Sequence, residues 1–133
     1  MADSVYPLTR EAFLAGDIAL DTDAVKILLV DTTTDYTYSS AHNALDDVQA
    51  SGRVAKAGPL ANKSITEGVF DASNVTFAAV TGDQSEALIL FVSTGTESTS
   101  RLICYIDSAT GLPVTPNSGD ITVNWNAAGI FAL

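Results

Sequence analysis

From Ala24 to Val30 the chain is apolar at nearly every position, the pattern of a strand covered on both faces. The same pattern predicts strands over Glu86 to Val92 and Arg101 to Ile106, with the polar run Ser93 to Thr99 as the hairpin loop between them. Ile121 to Trp125 alternates strictly, so Ile121, Val123 and Trp125 face inward while Thr122 and Asn124 face solvent. Val75 to Val80 reads as a further strand after the turn-forming Asp71 to Asn74. Weaker strands are expected at Val54 to Ala57 and Ser64 to Phe70, and an edge strand at Ile130 to Leu133. One helix is clear, at residues 7–15: Pro7 suits a first helical position, good helix formers follow, and Gly16 can end it. A helical turn is also possible at Ala41 to Val48.

Short strands, frequent turns and little helix predict a mainly β chain. We read residues 1–133 as one antiparallel β-sandwich or barrel-like domain with a short N-terminal helix. Gly111 to Gly119 holds two prolines, each lacking a ladder donor, so it reads as a loop along a sheet edge. The expected core is Val25, Ile27, Leu29, Phe77, Leu88, Leu90, Leu102, Cys104, Ile106, Val123 and Trp125, with Trp125→Ala costing about 3–5 kcal/mol if the ring is packed.

Charge narrows the function classes. Against 16 acidic residues stand 6 basic ones, for a formal net charge of −10. Nucleic-acid binding relies on cations that displace counterions from phosphates, and only Arg53, Lys56 and Lys63 cluster loosely, so no nucleic-acid partner is expected. The longest apolar runs are far short of a membrane helix, and the N-terminus lacks a signal-peptide pattern, so no membrane partner is expected. A single cysteine, Cys104, excludes an intrachain disulfide and sits where a small buried residue is wanted.

The candidate chemistry is thin. Asp17, Asp21 and Asp23, and separately Asp31 and Asp35, invite a calcium reading, but neither set has EF-hand spacing, and both fit solvated turns. His42 is the only histidine, and Ser39 and Ser40 beside it lack a nucleophile-elbow pattern. We therefore expect no catalytic residues, no metal and no cofactor, and a structural or interaction protein instead of an enzyme.

Several segments together carry a family resemblance. They are Val25 to Thr32, Asp35 to His42, Gly68 to Phe77, Gly82 to Leu88, Ser100 to Asp107 and Gly111 to Asn117. Their order and content resemble a family of small virion-associated proteins of tailed bacteriophages, over nearly the whole span from Tyr6 to Phe131. Relatives commonly end in Trp-Asp-Asn-Gly followed by Ile-Phe-Lys-Leu; here Trp125 to Leu133 is shorter and lacks that lysine, so its C-terminal edge is expected to make different contacts.

The resemblance implies a virion part, made in the bacterial cytoplasm. We expect a capsid decoration, or cement, protein on the outer surface of the head, binding the major capsid protein and self-associating there. A tail or neck component, and a host-carbohydrate-binding β-sandwich, remain the alternatives. For the contact surface the expectation falls on Tyr6, Pro7 and Leu8 and on the loop with Tyr36, Tyr38 and His42, because tyrosine combines large contact area with a polar tip. If so, these segments are dispensable for folding; otherwise the tyrosines cap the ends of the sandwich.

Overall fold

The structure, a computed structural model, describes residues 4–109 and 111–133. Its elements in chain order are β1 (Ser4–Val5), α1 (Pro7–Ala15), β2 (Val25–Val30), β3 (Arg53–Ala57), β4 (Ser64–Thr66) and β5 (Val69–Asp71). There follow β6 (Val75–Phe77), β7 (Ala87–Val92), β8 (Leu102–Ile106), β9 (Ile121–Val123) and β10 (Phe131–Ala132). A five-stranded antiparallel sheet, in the order β1-β8-β7-β2-β3, forms the backbone of the fold. A three-stranded sheet, β10-β5-β4, and a two-stranded pair, β6-β9, accompany it. The sheets are open, so of the expected architectures the fold is sandwich-like and not a closed barrel.

The doubly apolar segments β2, β7 and β8 occupy the middle of the large sheet because only there are both faces covered. On one face Ile27, Leu29, Leu88, Leu90 and Ile103 pack against Ala12 of α1, Ile18, Leu20, Phe70, Phe77 and Val123. On the other, Leu28, Val30, Ile89, Phe91 and Leu102 pack against Tyr6, Tyr36, Leu45 and Val48. The connection from β2 to β3 and the segment before α1 thus serve as the second layer.

The helix begins and ends where the residues dictate. Pro7 takes the first turn, and Gly16 adopts φ +80°, with helix carbonyls of Ala12 and Phe13 capped at its C-terminal end. The helical turn near Ala41 to Val48 is a short 3₁₀ segment at Leu45–Asp47.

Three expectations need correction. Ser64 to Phe70 is not one strand: β4 and β5 form a hairpin around Glu67 and Gly68, whose φ values of 52° and 81° both lie in the left-handed region that a type I′ turn requires. Trp125 is half-buried, with its indole N–H donating to the Ser73 carbonyl at 3.1 Å, so its removal should cost less than a fully packed ring would. The third correction shortens the strand expected at Val75 to Val80 to Val75–Phe77, with Ala79 at φ 47° beyond it, and β1, paired with β8, is an element the pattern did not predict. Ser4 and Val5 show no periodicity, and their place follows from the free edge of β8.

Candidate interaction surfaces

The expected tyrosine surface is largely interior. Tyr6 is 0% exposed and Tyr36 is 2% exposed. Their hydroxyls lie 2.8 Å apart, and the Tyr36 hydroxyl also meets His42 Nδ1 at 2.9 Å. Tyr38 stacks on Tyr6 with ring centroids 5.1 Å apart and meets Tyr105 edge-on at 5.4 Å. Burial pushes the phenol of Tyr6 up from its ordinary value, and pushes that of Tyr36 up to about 12. Tyr6 and Tyr36 therefore cannot be the adhesive surface; of the expected set, only Pro7 is exposed, while Leu8, Tyr38 and His42 are half-buried. Tyr6 and Tyr36 belong to the core, so the expectation that their segments are dispensable for folding conflicts with their burial. The sequence shows tyrosines beside polar residues but not that the loop folds back over β7 and β8.

The acidic residues are partly brought together. Asp31, Asp35 and Asp83 each place one carboxylate oxygen within 4.8 Å of the others, whereas Asp17 lies 4.0 Å from Arg101 and Asp23 accepts the Ala19 N–H at 2.9 Å. Asp31 is buried and engaged by its own loop, accepting from the Thr34 hydroxyl at 2.7 Å and the Thr33 N–H at 2.8 Å. Those donors, led by the Thr34 hydroxyl, hold its carboxyl below the usual range. The arrangement closes a turn after β2. His42 is bonded to Tyr36, while the Ser39 hydroxyl accepts the Ala41 N–H at 3.2 Å, and among the described residues no hydrogen bond joins either serine to the imidazole.

Two grooves offer contact surface instead. The first is apolar, about 190 Å³, and is lined by Phe13, Ile18, Leu20, Ile65, Phe70, Phe131 and Leu133, with Asp21 on its rim. Ile65 is 54% exposed and Leu133 is 64% exposed, two of the three exposed large apolar side chains among the described residues. Strand β4 beside it is exposed along its whole length and pairs on one side only, with β5. A β-strand edge and an apolar trough therefore adjoin each other.

The second groove, about 360 Å³, lies over the opposite face of the large sheet. Leu28, Leu45 and Phe91 floor it, and Lys26, Arg53, Lys56, Glu97, Ser93 and Thr96 stand around them. Of the loose basic cluster read from the sequence, Arg53 and Lys56 are here, while Lys63 is engaged elsewhere by the Asp23 carbonyl. Lys26 joins them because antiparallel pairing of β2 with β3 sets Leu28 opposite Lys56, two residues along the same face from Lys26. Strand register is what the sequence alone lacked.

No protein-family model matches the chain, and no curated protein is similar to it at a significant level.

Proposed function

We propose that the chain is a structural component of a tailed-phage virion, a decoration protein that binds the outside of the assembled head and links neighbouring shell subunits. The observation that carries the reading is the apolar groove across β4, β5 and β10, with Ile65 and Leu133 open to solvent and β4 paired on one side only. Single exposed apolar residues are ordinary on protein surfaces, but a trough continuous with an open strand edge fits a partner chain. The sequence resemblance to virion proteins points to the shell subunit as that partner.

Charge favours a shell partner over a second copy at this groove. Asp21 lines it, and Glu67 sits in the turn beside the lining residue Gly68. Two copies meeting groove to groove would set acid against acid on chains that each carry −10. A shell segment with apolar side chains and flanking lysine or arginine would satisfy both the trough and its rim.

The test substitutes Ile65→Asp together with Leu133→Asp, at positions already in water, so the fold should persist. Occupancy on purified heads is expected to fall at least about tenfold, since burying an unpaired carboxylate costs more than 1.4 kcal/mol. Full occupancy by the folded double variant would overturn the assignment of this groove to the shell.

A further inference from the structure

Three of the chain's 6 lysines and arginines line a single groove, on a protein with 16 acidic residues. Arg53 is engaged: its Nε donates to the Val48 carbonyl at 2.8 Å, and Nη2 to the Leu45 carbonyl at 2.8 Å and to Glu97 Oε1 at 2.9 Å. Lys26 and Lys56 make no hydrogen bond or ion pair within the described residues. They sit on adjacent strands as diagonal neighbours on one face, roughly 7–8 Å apart at that spacing. Like charges so placed repel, and an anion between them would relieve the repulsion. The groove's own acid, Glu97, is paired with Arg53, whose hydrogen bond and charge hold its carboxyl below its ordinary range, so the charges left without a partner among the described residues are Lys26 and Lys56.

We infer that this groove binds a carboxylate side chain, aspartate or glutamate, presented by a protein segment. The ammonium groups of Lys26 and Lys56 take the carboxylate by charge-assisted hydrogen bonds, and the Ser93 and Thr96 hydroxyls offer further donors. A nucleic-acid strand is disfavoured on two counts. Phe91 is 1% exposed and presents no ring face for a base to stack on, and the net charge of −10 repels a polyphosphate.

The source of the segment, a second shell subunit, rests on the proposed virion role; the chemistry of the groove does not. The apolar groove and this one lie over opposite faces of the five-stranded sheet, the first among Ile18, Leu20 and Phe70 and the second over Leu28 and Phe91. Two dissimilar docking sites facing apart are what linking two subunits needs.

The test is an NMR titration of the full chain with an end-blocked Leu-Asp-Glu-Leu peptide, and with its Leu-Asn-Gln-Leu counterpart as control. The acidic peptide should shift the backbone signals of Lys26, Leu28, Lys56 and Thr96 saturably and bind at least about tenfold tighter than the amide peptide. Lys26→Gln with Lys56→Gln, which removes charge at partly or fully exposed positions and keeps the stems, should abolish the difference between peptides. Equal binding of the two peptides, unmoved signals, or an unchanged preference in the double variant would each overturn the proposal. Because the probe is a free peptide, the outcome is independent of head binding through Ile65 and Leu133. A preserved acidic preference beside a failed head assay would remove the shell as the partner and leave the groove's chemistry standing.

Discussion

The Tyr36 hydroxyl joins three segments, meeting Tyr6 at 2.8 Å and His42 at 2.9 Å beneath the layer that covers β7 and β8. Tyr36→Phe keeps the ring and leaves the buried Tyr6 hydroxyl without that partner, so it should cost about 1–3 kcal/mol in urea unfolding. Tyr38→Phe should be near neutral by comparison, since the half-buried Tyr38 contributes through ring contacts. The pH dependence follows from the raised phenols. A neutral tyrosine is favoured in the folded state, so its contribution is complete below the ordinary value of 10.0 and is lost as pH rises toward about 12. The urea midpoint should therefore fall between about pH 10 and about pH 12, and fall less in Tyr36→Phe. Constant midpoints across that range in both proteins would refute the buried pair. At this scale the sequence was legible where burial follows from strand pattern, as at Ile27 and Leu90. It was silent at Tyr6 and Tyr36, because an aromatic in a connection can as well meet a partner as fold back on its own sheet.

At the scale of elements, the C-terminal strand depends on Gly129. Its φ is +111°, and a Cβ there would meet Val69 Cγ1 at 2.3 Å and the Phe70 carbonyl at 3.2 Å, just where Ile130 donates to Phe70 at 2.8 Å. Gly129→Ala should cost about 1–3 kcal/mol and speed hydrogen exchange at Ile130 and Leu133, loosening the wall of the apolar groove. Gly95→Ala, with φ +88° but open space around it, should cost only the backbone strain. Indistinguishable exchange in the two variants would show that β10 is not clamped there. The main elements were readable: Pro7 and Gly16 bracket the helix, and β2, β7 and β8 are apolar on both faces. The β4–β5 hairpin was not, because Glu67-Gly68 differs from the Asn-Gly and Asp-Gly pairs that mark such turns, and the surrounding residues alternate weakly.

At the scale of the whole molecule, one sheet separates an apolar groove with an acidic rim from a basic groove with an apolar floor. Neither groove was visible in the sequence, since each assembles residues from strands far apart along the chain: Ile65 with Leu133, and Lys26 with Lys56 and Thr96. A protein that binds the assembled shell and not its separated subunits stabilises the shell by mass action, so modest contacts suffice when copies are many. The most direct test is cryo-electron microscopy of the virion at a resolution that traces this chain. Many copies are expected across the outer head surface, each with Ile65 and Leu133 against one shell subunit and Lys26 and Lys56 facing a carboxylate of another. Absence of the chain from the head, or copies confined to the tail or neck, would contradict the decoration role.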